Sequence, residues 1–277
     1  MSERREHRWT RSAVVGAGLL FLVSLLILAG PSIAPHDPLM GDLNQRLEPP
    51  TWRYPLGTDR LGRCQLSRTL TAARLSLGLA FATSLAVSAF GMTVGAVAAF
   101  GGRFADRLVR RTINVFISFP PLVLALVVVG VMGPSAGAVA AAIAWTWWPS
   151  EARLARSLFH TARHRDYVDA AWLAGVSPWK TFVRHVLPQV GPPLAVRFSL
   201  ELGSVIVALS TLSFLGLGAQ PPNPEWGAML NEARPFVVTA PHLLLGPGIG
   251  LIVTVLGCNL LAEGLRERVD TRAIQEW

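Results

Sequence analysis

The 277-residue sequence predicts an all-α integral membrane protein with six transmembrane helices. Hydrophobic residues make up 51% of the chain and charged residues only 15%, against about 25% charged residues in typical soluble proteins. So little charge could not cover a soluble domain, and the composition also excludes disorder and a fibrous fold. The apolar residues gather in separate runs, and a helix rising 1.5 Å per residue needs about 20 residues to cross a bilayer.

Six apolar runs define the predicted spans, of which the fourth is short and rich in alanine. They lie at residues 13–34, 75–100, 113–132, 134–149, 194–218 and 243–263. Pro120-Pro121 predicts a kink or break in the third span. Gly91 and Gly95 permit close helix packing, which we expect within the chain. The first run exceeds the roughly 7–15 apolar residues of a signal peptide, so we expect it to be retained.

The charge distribution predicts the orientation of the spans. The net charge is +8, and 17 Lys and Arg residues fall in the loops on one side against seven on the other. The positive-inside rule then places both termini in the cytoplasm, with anionic lipid rather than nucleic acid as the partner of the basic residues. Six of the seven basic residues on the other side lie in segment 35–74, which we expect on the membrane surface. The predicted spans divide the chain into three parts: the N-terminus with the first span (1–34), the external segment (35–74) and the remaining five spans with their loops (75–277).

The longest predicted cytoplasmic loop, residues 150–193, is patterned as two short amphipathic helices. Gly175 suits the end of the first helix, Ser177 caps the second, Pro178 begins it, and Pro188 is expected to stop it. Each helix carries one apolar stripe at helical spacing, formed by Tyr167, Ala170, Ala171 and Ala174 and by Trp179, Phe182, Val183, Val186 and Leu187. The pattern alone leaves two interpretations open: a solvated cap on the bundle, or a docking element for a cytoplasmic partner. In the docking interpretation we expect the apolar stripe to pack on the bundle and the exposed side to enter a cleft on the partner.

Motifs for enzyme chemistry are absent from the sequence. The only lysine, Lys180, follows Trp179 rather than the glycine of a P-loop, so ATP would have to be hydrolysed by another chain. His160 and His164 have metal-ligand spacing without a third ligand nearby in sequence. Two cysteines 194 residues apart form no disulfide framework. We therefore predict a protein that is not an enzyme and binds no metal or cofactor itself.

Several motifs together resemble one family. Asp169-Ala170-Ala171-x-x-x-Gly175 followed by His185-Val186-Leu187-Pro188 resembles the EAA loop of binding-protein-dependent ABC importer permeases, with Asp169 where that motif usually has Glu. Four further segments resemble the dipeptide/oligopeptide/nickel permease subfamily, in particular its "C"-type subunit: LGTD-x-x-GR at 56–63, LSFLGLG at 212–218, PP-x-PEWG at 221–227 and NLL-x-x-GLR at 259–266.

The resemblance implies a type I ABC importer (MetI-like) permease core with an extra N-terminal span and a cytoplasmic EAA coupling helix pair. It implies a heterodimer with a second permease, two ABC ATPase subunits or domains that hold ATP and Mg, and an extracytoplasmic solute-binding protein, all at the inner membrane of a bacterium. Leu209 occupies a position where many relatives have Glu, so no role is carried over there. The resemblance also implies a set of ATPase-coupling residues: Asp169, Ala170, Ala171, Gly175, His185, Leu187 and Pro188.

Two further groups of residues are candidate sites. The segment 219–240 is rich in proline and then helix-like; it could dock the solute-binding protein through Glu225, Trp226, Glu232 and Arg234, or be a structural cap. Glu201, Ser213 and Phe214 are candidates for the translocation path, although an i,i+4 pair of Glu201 with Arg197 is the preferred explanation of that carboxylate.

The resemblance implies import of di- or oligopeptides as the main function. The alternatives are import of nickel, another metal chelate or a small solute by the same machinery, and a membrane scaffold that does not transport. A passive channel is disfavoured because no span shows the polar stripe of a wet pore.

Overall fold

A computed structural model describes residues 11–275 of the chain. Arg4, Arg5 and Arg8, which contribute to the predicted cytoplasmic N-terminus, lie outside the described residues. Over the described range the only β pairing consists of two isolated bridges, Gly41 with Arg63 and Thr58 with Cys64. The helices are α1 (Arg11–Ile33), α2 (Gln65–Phe100), α3 (Gly102–Ile117), α4 (Pro121–Met132), α5 (Ala136–Arg163), α6 (Asp166–Leu173), α7 (Pro178–Thr181), α8 (Leu187–Phe214), α9 (Trp226–Ala233) and α10 (Leu245–Gln275).

The all-helical membrane architecture agrees with the prediction. Four stretches are long and apolar enough to cross a membrane, and a fifth is counted if α3 and α4 form one bent span. These four are Arg11–Gly30, Gln65–Phe100, Trp179–Phe214 and Pro241–Val269. The predicted fourth span lies in α5, which runs on to Arg163 and has a polar second half. One side of α5 packs against neighbouring helices, with Ala142, Ile143 and Ala152 buried, whereas Arg153, Ser157 and His160 in its polar second half are exposed.

The predicted break in the third span is confirmed. Helices α3 and α4 meet at an angle of 83°. Pro120 stands between them, and Pro121 opens α4 at a position where its missing N–H costs nothing. The 12 residues of α4 extend only about 18 Å, so α4 alone is too short to cross a bilayer.

Small residues bring the central helices α2 and α5 together. A Cβ atom at Gly91 would lie 2.5 Å from the Cβ of Glu151, and one at Gly95 would lie 2.7 Å from the Cβ of Ala155. Neither contact leaves room for a side chain, so both glycines are required by packing within the chain, as predicted. Helix α1 packs along α10 in the same manner, with Gly264 against Ala13.

Residues 35–64 form an ordered loop layer rather than a loose linker. The backbone N–H of Leu47 donates to the carbonyl oxygen of Asp59 at 3.0 Å, and that of Thr58 to Glu48 at 3.1 Å. The side chain of Gln65, at the start of α2, donates to the carbonyl oxygen of Leu243 at 2.7 Å. The layer is therefore tied to the start of α2 and to the turn before α10. Helix α2 begins ten residues earlier than the predicted second span, so the layer ends sooner than expected.

Candidate functional sites at the two ends of the bundle

The loop contains helix α6 and the short helix α7 at one end of the bundle, which we call the α6 end. Gly175 has φ +76° and ends α6 in a Schellman motif. Its N–H donates to Trp172 at 2.9 Å, and the N–H of Val176 donates to Ala171 at 3.1 Å. The Ser177 hydroxyl then accepts from the N–H of Lys180 at 3.4 Å. The predicted stop at Gly175 and cap at Ser177 are thus both confirmed.

Three valines anchor this segment to the bundle. Val168 in α6, Val186 just before α8 and Val190 in α8 are buried in one apolar cluster. The cluster also contains Phe159 and Ala162 near the end of α5. Helix α6 has only eight residues, and Val168 is the one that is buried. The Tyr167 hydroxyl adds a second tie by donating to the side chain of Gln189 in α8.

The predicted stripe on α6 does not face the bundle, and that part of the prediction is wrong. Ala170 and Ala174 are exposed, and Tyr167 is 42% exposed. Helical spacing identifies an apolar stripe but not which neighbour the stripe will meet. Val168, at a position outside the stripe, takes the inward place instead.

The α6 end therefore presents large apolar side chains to its surroundings. Leu173 is 91% exposed and Trp179 is 74% exposed. Exposed apolar clusters of this kind mark surfaces that a protein partner or the membrane covers. We call the following residues the exposed coupling face: Tyr167, Trp172, Leu173, Trp179, Val183 and Leu187. The predicted coupling residues Asp169 and Gly175 are also exposed, whereas His185 is half-buried.

The prediction that Pro188 ends the second helix is wrong. A π-helical turn at Phe182–Val186 joins α7 to α8, and one helical stretch runs over Trp179–Phe214. Within the turn, the N–H of Leu187 donates to the carbonyl oxygen of Phe182. Proline lacks an N–H and its ring excludes the usual carbonyl one turn earlier, and a π turn shifts the hydrogen-bond register at that point. Helix α7 is consequently a direct extension of a membrane-spanning helix.

A buried polar junction links α2, α5 and α8 in the interior. The Arg197 guanidinium donates to Glu151 at 2.6 Å, across from α8 to α5. Glu201 is buried and accepts from the Ser88 hydroxyl at 2.9 Å. The predicted Arg197–Glu201 pair along one helix is thus replaced by an interhelical pair, and sequence analysis missed Glu151. Because Glu201 faces the interior of this chain, it does not line an open path here.

The other two path candidates lie near the opposite end of α8. Ser213 is buried against Gly218 and Gly227, and Phe214 is half-buried. Ser213 borders a cavity of about 310 Å³ that is also lined by Gln220 and Asn231. The exposed face of α8 was not anticipated. It carries two hydroxyl residues among apolar ones at helical spacing: Leu200, Ser204, Val207 and Thr211.

At this second end, which we call the α9 end, the acidic residues are bound within the chain. Glu225 caps α9 by accepting from the N–H groups of Gly227 at 3.0 Å and Ala228 at 2.9 Å. Its carboxylate also accepts from the Ser76 hydroxyl at 3.2 Å. The indole N–H of Trp226 donates to the carbonyl oxygen of Thr69 at 3.0 Å.

A buried ion-pair cluster joins α9 to the loop layer and α2. The Arg63 guanidinium lies 2.6 Å from Asp59 and 3.3 Å from Glu232. The Arg68 guanidinium lies 3.4 Å from Asp59 and 2.8 Å from Glu232. Sequence analysis missed Arg68, because its partner is 164 residues away and no local pattern connects them.

This burial corrects the predicted docking site for a solute-binding protein. Glu225 and Trp226 are buried and Glu232 is held by two arginines, so these three residues stabilise the position of α9. Arg234, the fourth predicted residue, is exposed.

The described residues contain no group of three His, Cys, Asp or Glu side chains that could hold a metal ion. His160 and His164 stand side by side with ring centroids 4.9 Å apart.

Comparison with known proteins gives two family matches that together cover most of the chain. Residues 91–275 match the model described as "Binding-protein-dependent transport system inner membrane component". Residues 8–50 match the N-terminal transmembrane domain of oligopeptide transport permease C.

Individual relatives agree with these matches over nearly the whole length. A glutathione transport system permease protein of Pectobacterium atrosepticum is 38% identical over 96% of this chain and 89% of the relative. A dipeptide transport system permease protein of Haemophilus influenzae is 36% identical over 96% of this chain and 92% of the relative. A nickel transport system permease protein of Escherichia coli K12 is 36% identical over 97% of this chain and 96% of the relative. The chain belongs to the inner-membrane permease family of binding-protein-dependent ABC importers, in its peptide and nickel branch of C-type subunits.

Proposed function

We propose that the chain pairs with a second, different permease to form a translocation path for di- and oligopeptides, driven by separate ATPase subunits. Family membership supports the importer. The names of the glutathione and dipeptide permeases, which align over nearly the full chain, support a peptide cargo. Nickel or a metal chelate remains the alternative because a nickel permease is equally similar.

The observation that carries the mechanism is the exposed coupling face at the end of a continuous helix. Leu173 and Trp179 would enter a cleft on the ATPase, where their apolar surface leaves water. Helix α7 continues into α8 without a flexible joint, so movement of the ATPase would pass directly into a membrane-spanning helix. Val168 and Val186 hold α6 to the same unit.

The exposed face of α8 would meet the cargo. Ser204 and Thr211 lie on this face, and their hydroxyl groups donate to carbonyl oxygens of their own helix at 3.0 and 2.7 Å. Each hydroxyl oxygen retains lone pairs that can accept from a peptide N–H. The second permease would close the path from the opposite side, and α8 would change its tilt as the ATPases close.

We place the α6 end in the cytoplasm, with six crossings and both termini inside. The placement follows the excess of Lys and Arg in the loops predicted on that side, 17 against seven. Arg63 and Arg68, at the α9 end, are paired with Asp59 and Glu232 inside the protein. In this arrangement α5 crosses the bilayer, and the bent α3–α4 pair supplies one further crossing, made by α4 together with the residues on either side of it.

Cysteine labelling tests this orientation with a matched pair. Leu173 and Val238 are each 91% exposed, at opposite ends of the bundle. The native cysteines Cys64 and Cys258 are buried and give a low background. A membrane-impermeant maleimide should label Val238→Cys in intact spheroplasts and Leu173→Cys only after lysis. The reverse pattern would overturn the orientation.

Purification followed by uptake tests the function. The tagged chain, extracted in mild detergent from its native membrane, should bring with it a second permease and P-loop ATPases. Deleting the chain should abolish uptake of a labelled dipeptide and leave nickel uptake unchanged. Loss of nickel uptake alone would select the alternative cargo. Recovery of a stable chain without partners would favour a scaffold that does not transport.

A further inference from the structure

Helix α3 has one face that is satisfied within the chain. Val109, Ile113 and Phe116 pack against Trp148 and Ala152 of α5. On the same side Asp106 forms an ion pair with Arg156. The remainder of the helix surface faces away from the bundle.

A second face of α3 is apolar and uncovered. Phe104 is 78% exposed, and Leu108 and Val115 are more than half exposed on the same side of the helix. The exposed Arg111 lies between Leu108 and Val115 on this side, and its long side chain can extend along the apolar strip to place its guanidinium at the interface. This apolar strip continues past the break through Phe119 to Val123, the exposed start of α4. Helix α4 contains no polar side chain and therefore belongs in the hydrocarbon of the bilayer. The strip on α3 is thus continuous with a lipid-facing surface.

The third face of α3 is strongly basic. Arg103, Arg107 and Arg110 follow one another at helical spacing and are all exposed. Asp106 is the only acidic residue of the helix, and its carboxylate is already bound by Arg156 and lies 3.3 Å from Arg110. Three arginines therefore stand beside the apolar strip with little compensation from within the chain.

We propose that α3 is a binding site for anionic phospholipid on the leaflet at the α6 end. If α3 lay in water, its apolar strip would stay exposed. If it lay in hydrocarbon, its arginines would have no partners. Only the interface provides acyl chains for Phe104 and Leu108 and phosphates for Arg103, Arg107 and Arg110. The contact of Phe100, at the end of α2, with Phe182 places the start of α3 at this end.

This site goes beyond cargo transport, because the lipid composition of the membrane would then affect the position of α3. The 83° bend is the only joint between α3 and α4. Lipid phosphates on the arginines would fix α3, and the bent pair would then keep its angle while α8 moves.

The test uses the full chain with its co-purified partners in vesicles of phosphatidylcholine with spin-labelled phosphatidylglycerol. The fraction of motionally restricted label reports binding. The triple variant Arg103→Gln/Arg107→Gln/Arg110→Gln should lose phosphatidylglycerol preference by about fivefold per arginine. The control Arg165→Gln/Lys180→Gln/Arg184→Gln removes three exposed cations from the same end and should keep it. Equal loss in both triple variants would overturn the proposal.

Two further measurements separate lipid binding from folding and from protein contacts. The variant Arg103→Lys/Arg107→Lys/Arg110→Lys keeps the charge and should retain most of the preference, whereas a merely structural role would not be rescued. A spin label at Phe104→Cys should be accessible to oxygen and shielded from a water-soluble nickel reagent. Accessibility to neither reagent would show that a protein partner covers α3, and accessibility to the nickel reagent would show that the face lies in water.

Discussion

The two ends of the bundle satisfy their side chains in opposite ways. At the α9 end, Asp59, Arg63, Arg68 and Glu232 neutralise one another within the chain. At the α6 end, large apolar residues such as Leu173 stay exposed. The α9 end also exposes apolar side chains, among them Trp52 and Val238. The contrast therefore lies in how each end is held together, by buried ion pairs at the α9 end and by a few apolar anchors at the α6 end.

This difference indicates where the chain depends on its partners. In the proposed importer, an α9 end held by its own ion pairs would keep its shape while solute-binding proteins dock and leave. The α6 end has only a few anchors, and its helix α7 runs directly into α8. We expect mutations at the α9 end to change stability and mutations at the α6 end to change coupling.

Removing one carboxylate from the ion-pair cluster should lower the stability more than any other change considered below. Asp59→Ala leaves Arg63 and Arg68 with Glu232 as their remaining carboxylate. Removing one partner of a buried ion pair typically costs about 3–5 kcal/mol. The melting temperature of the detergent-solubilised protein should fall sharply, as measured by scanning fluorimetry.

Asp37 provides the control for this change. Its carboxylate also accepts from two backbone N–H groups, of Leu39 and Met40, but the residue is exposed. Asp37→Ala should cost only about 1 kcal/mol. Equal losses for the two variants would show that the turn, rather than the ion pairs, holds the α9 end.

The next effect in size concerns the junction between the two ends. Arg197→Met removes the cation that pairs with Glu151. We expect a loss of about 1–3 kcal/mol, smaller than for Asp59 because the Arg197 side chain is 37% exposed. Thermal unfolding measures the change, and Glu151→Gln/Arg197→Met should recover part of it. No recovery in the double variant would contradict the pairing.

A smaller effect is expected from two Gly→Ala substitutions, which separate the cost of backbone strain from the cost of fitting a Cβ atom. Gly175 and Gly191 both have open space where a Cβ would lie, but only Gly175 has positive φ. Gly175→Ala should cost about 1–2 kcal/mol, whereas Gly191→Ala in helix α8 should stabilise by a few tenths to about 1 kcal/mol. Gly175→Ala should also lower uptake per ATP hydrolysed, in assays of reconstituted vesicles. Parallel behaviour of the two variants would contradict the role of the turn.

Local patterns predicted the features that local chemistry determines. The stop at Gly175, the cap at Ser177 and the break at Pro120-Pro121 each depend on the dihedral angles or hydrogen bonds of a few neighbouring residues. The close packing at Gly91 and Gly95 was likewise readable from their spacing.

Features that depend on distant partners could not be predicted in this way. Arg68 and Glu232 meet across 164 residues, and the stripe on α6 could face either the bundle or a partner. Pro188 misled the prediction because a proline usually ends a helix, and nothing local announces the π turn that accommodates it.

In the proposed importer, the exposed coupling face transmits the movement of the ATPases while contributing little to folding. Leu173→Asp and Val238→Asp place the same charge at sites of equal exposure, at opposite ends. The decisive experiment measures ATPase activity and peptide uptake in reconstituted vesicles, together with the melting temperature. We expect unchanged melting temperatures for both variants and loss of uptake for Leu173→Asp alone. Normal uptake by a correctly assembled Leu173→Asp complex would show that this face does not couple the ATPases to transport.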